Sequence, residues 1–525
     1  MKKQEQKSLY KYGIINIGMD FEEREERRRR QTIKVVIAEI GMFFSVIMIV
    51  VVATLAAMGF FVSSNGKIEQ TGLMQIHSQP TGATVELDGN TLFSRTNLSR
   101  SLSPSDHTLK LSRDGYDTWS KTVMMSSGML MRLYYPRLFL LNRKSEVALN
   151  LATELDFYVP SPDRAYAVYA AKDSASWQVL NLRGDDVTKS TTLDLRTILP
   201  DAKNGTFSGE VELLRWSQNN DHILTKISYE GRSEWIVINL KDAKQSLNLT
   251  QIFGLDFTQV EMIDNSAAQL FVLENHQLRR ININDQGISR VLLNDVESFA
   301  NYKSDVVYVA KTSNANGKVV QKIGVYHDGE KDGTTLATLA DETKAQVALT
   351  KYYDDLYLTY AVGDELTVRF GSLPSYREGV LEADITDLQL LFADQKLSQV
   401  PTSLTVSPEG DYILAQAGLQ TMVLDLEQGE LYDYAAAERL SWLDEGILGA
   451  MVDGELVVWD FDNTNRRVLV KTVAKDEEVE LKAVTTRTTA RLLNYPVIIS
   501  ENNRWLYYLT QDEAGIKLTR ERIRD

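Results

Sequence analysis

A chain of 525 residues, 43% hydrophobic and 25% charged, is long enough for several folded domains and too ordinary in composition to be disordered or low in complexity. Residues 1–34 hold ten Lys/Arg against six Asp/Glu, a charge of +4, so the remainder carries −19 of the net −15; that acidic remainder excludes nucleic acid and disfavours anionic lipid as its partner. With no cysteine, the chain has no disulfides, thiolate zinc sites, iron–sulfur clusters or cysteine nucleophiles, a composition that suits a bacterial envelope better than an animal cell surface.

Residues 1–34 form the expected cytoplasmic tail. Its stretch YKYGIINIGMD, residues 10–20, is apolar enough to bind something and too short to fold alone. Residues 21–34, FEEREERRRRQTIK, place acids first and bases last, as a helix dipole prefers, and the helix is expected to run on into the apolar stretch that begins at residue 35. Arg27, Arg28, Arg29, Arg30 and Lys34 then flank the membrane and anchor at headgroups; the sharper alternative is a docking site for a cytoplasmic protein.

Residues 35–62 are the expected transmembrane helix, and within them residues 40–62 are 23 without a charge. A helix needs about 20 residues to cross a hydrocarbon core of about 30 Å. The rival is a cleaved signal peptide, whose apolar core is about 7–15 residues and ends in a small-residue cleavage site. The run is too long for that, and Val62 with Ser64 makes a poor site. The chain is therefore expected in the cell membrane, single-pass, held by the lipid bilayer through residues 35–62. The Lys/Arg bias puts the amino terminus in the cytoplasm and everything after residue 62 outside.

Residues 70–136 change character to short alternating strands between turn residues. Pro80, Gly82 and Ala83 mark one turn, and Asp88 with Gly89 marks a second, tighter one. Ser78, Pro80, Gly82, Ala83, Val85, Leu87, Asp88 and Gly89, then Leu102, His107, Leu109, Leu111, Gly115 and Tyr116, follow the pattern of a PEGA domain, which this segment resembles. Ser105 and Asp106 depart from the usual glycine before the His-like position, and no Thr-Pro pair follows the first hairpin. The resemblance implies a small β module with structural motif residues, support of surface interaction and no catalytic group; His107 reads as a packing residue.

From residue 141 to 525 a two-part pattern recurs every 40–55 residues or so, the period of a propeller blade. Its first part is a Ser-led turn and strand, in SPDRAYAVYA from Ser161, SQNNDHILTKI from Ser217, SPEGDYILAQ from Ser407 and SENNRWLYYLT from Ser500. Its second is an apolar strand closing on Asn or Asp, in WQVLNLRGDD from Trp177, WIVINLKDAK from Trp235, LRRININDQG from Leu278, TMVLDLEQG from Thr421 and ELVVWDFDN from Glu455. The Ser-Pro-Asp copies are similar to the repeats of TolB-type and WD40-like propellers. Eight blades are expected first and seven second, with starts near Phe157, Val211, Phe257, Val296, Val347, Pro401, Leu440 and Tyr495. A tandem of β-sandwiches or a β-helix is the alternative fold.

No cofactor, metal or catalytic residue is expected. The five histidines lack helical metal spacing, and G-x-S-x-G, P-loop and dinucleotide fingerprints are missing. Asp460, Asp462 and Asn463 lack the spacing of a calcium loop and read as a solvated hairpin turn. The expectation is a mostly β, non-catalytic binding or scaffold protein of the bacterial envelope, whose propeller captures another envelope protein. Binding of glycan or cell-wall polymer is the alternative, and a propeller enzyme with its site in the central channel the lesser one.

Overall fold

In the computed structural model the charged segment and the apolar run form one helix, α1 (Phe21–Ala57). Residues described are 21–62, 68–199, 207–313, 316–340, 343–378, 382–435, 440–473 and 483–525; the expectations for the tail of 1–20 and for 63–67 lie outside them. Residues 28–57 are long and apolar enough to cross a membrane, by length and composition, and the apolar side chains of this stretch are exposed. The helix stops five residues short of the expected end at Val62. Gly59 takes φ +79°, the left-handed conformation that ends helices and that a Cβ disfavours. The β-forming Phe60, Phe61 and Val62 then make strand β1 (Phe60–Val62), antiparallel to β2 (Ile68–Gln70).

Seven strands come next in the chain: β3 (Gly72–Ile76), β4 (Thr84–Leu87), β5 (Asn90–Arg95), β6 (Leu98–Leu102), β7 (Asp106–Ser112), β8 (Trp119–Met124) and β9 (Leu130–Leu133). The described residues fall into two compact units. The first holds residues up to 76 with 98–108 and 122–133. In it β3 is the centre of a three-stranded sheet, antiparallel to β6 and parallel to β9, and Met74 and Ile76 point inward with almost no exposure.

The second unit holds 77–97, 109–121 and 134–525. Its β4 pairs with β5 across Asp88 and Gly89, both at positive φ, the two-residue turn whose twist matches that of the strands. On the other side β4 pairs with β7, setting Val85 opposite Leu111 and Leu87 opposite Leu109 on the buried face.

Beyond residue 145 the unit is a run of sheets, antiparallel except where Arg467–Thr472 pairs in parallel with Thr486–Thr488. Residues 155–194, 210–248, 257–288, 296–338, 345–396 and 403–435 each give four strands in sequence order, and 441–488 gives five. The last sheet joins β10 (Ser145–Ala152) to Gly515–Arg522, Trp505–Asp512 and the short strands Arg491–Leu492 and Ile498–Ile499. The expected starts from Phe157 to Leu440 all lie within two residues of the first strands of their sheets, and Tyr495 lies between the two short strands.

Near-continuous apolar runs in the inner strands, such as Ala167–Ala170 and Val306–Ala310, put apolar side chains on both faces of each sheet, so the core lies between sheets. Phe157, Trp177, Trp216 and Ile236 fill the layer between the sheets of 155–194 and 210–248. Tyr158, Tyr169, Tyr507 and Leu518 do the same between the sheet of 155–194 and the last one. Between 403–435 and 441–488 the contact is aromatic: the Tyr412 ring stacks on Trp442 at 5.3 Å and lies 4.4 Å from Phe461.

Candidate functional site

The Ser-led turns share one construction. Each serine is buried, its hydroxyl donates to an Asp or Asn oxygen in the turn, and it accepts the backbone N–H five residues on. Ser161 donates to Asp163 at 2.6 Å and accepts from Tyr166 at 3.0 Å. Ser217 does so with Asn219 and His222, Ser407 with Asp411 and Tyr412, and Ser500 with Asn502 and Trp505. A buried hydroxyl with both partners leaves the rest of the turn free to carry polar groups outward.

Carboxylates and tyrosines gather around the turns of 345–396, 403–435 and 441–488. The Tyr352 hydroxyl donates to Glu427 at 2.9 Å, its ring is 4.5 Å from that of Tyr353, and Tyr353 is 64% exposed. Beside them Tyr357 stacks on Phe370 at 5.3 Å. Asp425 accepts the N–H groups of Glu427 and Gln428, yet burial, with Glu427 and Asp411 adding to it, pushes its carboxyl up to about 7. Burial also raises Asp411 and Glu409, with Glu445 reinforcing both, while Arg164 opposes the rise at Glu409. The patch is thus acidic and aromatic, a surface suited to stacking and to accepting hydrogen bonds.

A second polar cluster is buried in the same unit and ties residues 115–121 and 134–143 to the last two sheets. Trp119 Nε1 donates to Asp460 Oδ2 at 2.6 Å, and Asn465 donates to the same oxygen at 2.9 Å. Arg467 Nε lies 2.7 Å from Asp117 and its Nη2 donates to the Arg137 carbonyl. Lys121 pairs with Asp462 and donates to the Tyr135 hydroxyl at 2.8 Å. Arg137 pairs with Asp444, and Arg143 pairs with Glu521 at 3.0 Å and donates to the Leu469 and Val484 carbonyls. Between these ion pairs Phe139 sits, wholly buried, among Leu443, Leu456, Leu469 and Ile523. Burial pushes Asp460 up to about 7, with Arg467 opposing and Asp462 reinforcing the rise. Burial likewise raises Asp117 despite its arginine.

The reading of Asp460 and Asp462 as a solvated turn is therefore corrected. Asp460 is 0% and Asp462 8% exposed, because Trp119, Lys121 and Arg467 cover them. Nothing local announces this: the partners of Asp460 and Asp462 on residues 119–121 lie some 340 positions away in the chain. The one available signal was the Asp117 and Trp119 that come after Gly115 and Tyr116, an acid and an aromatic at the close of the motif.

The expected motif residues take structural places. Ser78 is buried, donates to the Pro80 carbonyl at 2.7 Å and shares a hydrogen with Thr96 at 2.6 Å; Thr96 also accepts the Ala83 N–H. Pro80 and Ala83 are buried, and Gly82, like Gly89, lies at positive φ in its turn. Gly115 takes φ +80° and its carbonyl accepts the Leu141 N–H, so it reverses the chain where Tyr116 turns inward to meet Asp525. His107 is buried and its ring bonds the Ser103 carbonyl and Ser105. Arg27, Arg28, Arg29, Arg30 and Lys34 all lie on α1; the side chains of Arg28, Arg29, Arg30 and Lys34 are exposed, and Arg30 is 3.6 Å from Glu26. Among the described residues, no three His, Asp or Glu side chains are grouped so as to hold a metal ion.

No curated protein matches this chain. Among solved structures it is similar to an oligogalacturonate lyase in complex with manganese, at 9% identity over 74% of this chain and 99% of that one, with a TM-score of 0.38. It is also similar to the β-propeller domain of Cps50 (Swd1) of Myceliophteria thermophila, at 12% identity over 72% and 99% with a TM-score of 0.35. A third is the dipeptidyl peptidase 4 of Porphyromonas gingivalis, at 9% identity over 68% and 56% with a TM-score of 0.43. At these identities and TM-scores the likeness says nothing of activity. Residues 71–136 match the family model of the PEGA domain, so the chain carries a PEGA domain, and a mostly β array of successive sheets follows it.

Proposed function

We propose that this protein is a non-catalytic scaffold of a bacterial envelope, anchored by α1 as a single-pass helix with its amino terminus in the cytoplasm, whose array is an eight-bladed ring that presents a binding face to another envelope protein. The observation that carries the reading is the buried seam of Trp119, Arg137, Phe139 and Arg143. It joins the close of the PEGA segment to the array inside one unit, so the array is held to residues 115–121 and 134–143 by buried ion pairs and not by a free linker. A rigid mount of this kind serves presentation: a partner that docks on a pre-positioned face loses less entropy on binding.

The test is affinity capture with the full chain in detergent against solubilised envelope proteins. Specific retention of one or a few proteins is the expected result, and Tyr353→Ala should weaken it about tenfold, as loss of an exposed aromatic anchor does. Retention of none would sink the protein-binding reading. The glycan reading is favoured by one feature, the exposed Tyr353 beside Tyr352 and Glu427, a ring face next to a hydrogen-bond acceptor. It predicts retention on isolated wall polymer that soluble sugar competes away and that Tyr353→Ala abolishes.

A further inference from the structure

We propose that the outer face of the β6-β3-β9 sheet is a second membrane contact, seated in the lipid–water interface beside the end of α1. This rests on the reading of α1 as a membrane anchor.

The sheet is tied to the helix without slack. The Thr71 N–H and hydroxyl both donate to the Gly59 carbonyl, at 2.8 and 2.9 Å. Gln70 donates to the Met58 carbonyl at 3.1 Å, and the Gly128 N–H donates to the Thr71 carbonyl at 3.2 Å. The apolar side chains of α1 are exposed as far as Leu55 and Met58, so if lipid covers them, the hydrocarbon edge lies at the level of Gly59. Leu73 is two residues beyond Thr71, at most about 7 Å along a strand. The headgroup layer on each side of a bilayer is about 5–7 Å thick. Whichever way the strand runs from Thr71, Leu73 stays within or beside that layer.

The sheet is built for such a level. Its inner residues Met74 and Ile76 are buried, while Leu73 and Leu130, paired across β3 and β9, face outward and are each 38% exposed, with Ser101 of β6 on the other side of Leu73. Met125 packs at Gly72, and its neighbour Met124 is 67% exposed. Two residues further along, the same outer face turns polar: Gln75 stands between Ser99 and Arg132. A leucine pair followed by a wholly polar row is the profile of an interface, where the apolar side chains enter the acyl boundary and the polar row stays among the headgroups. The contact is apolar in origin, so it forms on zwitterionic lipid and does not depend on salt.

The absence of cysteine makes a clean test possible, because any introduced thiol is unique. Full-length Leu73→Cys, Leu130→Cys, Ile47→Cys and Ser99→Cys variants, each carrying a nitroxide, are reconstituted in phosphatidylcholine vesicles, and collision with oxygen is compared with collision with a water-soluble nickel chelate. The proposal expects oxygen to dominate at 47, both colliders at 73 and 130 with oxygen several-fold favoured over the value at 99, and the chelate to dominate at 99. If 47 is in lipid while 73 and 130 match 99, the interfacial contact is overturned and the anchor stands. If 47 itself meets the chelate freely, the anchor reading fails and the contact with it.

Discussion

Trp119 is the residue whose loss should be felt furthest. Its indole N–H meets a carboxylate with no exposure, and among the described residues that carboxylate has only Asn465 as a second short donor. Trp119→Phe keeps the ring and removes the donor, leaving a buried acceptor under-satisfied, which costs about 1–3 kcal/mol. The denaturant midpoint of the full chain in detergent should fall accordingly; an unchanged midpoint would mean that Asp460 is held by its other partners alone. The same pair shows where reading the chain stops. The aromatic at the end of the PEGA segment was visible in GYDTW, but its partner was not, because Asp460 sits in a stretch, VVWDFDN, that looks like any strand running into a turn. Burial, which decides the chemistry of that carboxyl, is a property of contacts across the chain and leaves no local mark.

At the level of elements, periodicity carried most of the information. Strand positions from 155 to 444 were legible because alternation and Ser-led turns are set by neighbouring residues, and the starts fell within two residues of the strands. The end of α1 was less legible: Met58 to Val62 continue the apolar run, and only the backbone of Gly59 separates helix from strand. β10 was not marked at all, since its partner is Gly515–Arg522, and such a pairing depends on topology. Leu518, which pairs with Leu149 across these strands, is fully buried in the layer shared with Tyr158 and Tyr169. Leu518→Ala should cost about 2–5 kcal/mol by the cavity it leaves. It should also open residues 145–152 to protease before any other strand, which mass spectrometry of the early fragments can read. Early cuts elsewhere would show that this pairing is not the weak point.

For the molecule as a whole, several buried acids with raised pKa give stability a definite pH dependence. Asp460 and Asp425 are both pushed up to about 7, far above the value of about 3.9 expected of an unfolded aspartate. A raised acid binds its proton more tightly when folded, so stability is greatest below the unfolded value, declines as pH rises through the interval, and is fully reduced above about 7. For Asp460 the difference across that interval is on the order of 2–4 kcal/mol. Thermal midpoints should therefore rise as pH is lowered from 8 to 5.5, and Asp460→Asn should flatten part of that slope. Parallel curves for the two proteins would remove Asp460 from the account.

The pairing of β10 with Gly515–Arg522 also imposes an order of events during synthesis. Ser145 leaves the ribosome 370 residues before Gly515. At about 5–20 residues per second that is roughly 20–75 s. Throughout this time β10 has an open edge, and Phe139 lacks the layer of residues 443–523 that will bury it. If α1 is already in the bilayer by then, the waiting strand is held close to the membrane at high local concentration with other nascent chains, where an open edge invites pairing with the wrong partner. The pairing that completes this sheet thus makes production dependent on whatever shields that one strand until Gly515–Arg522 arrives.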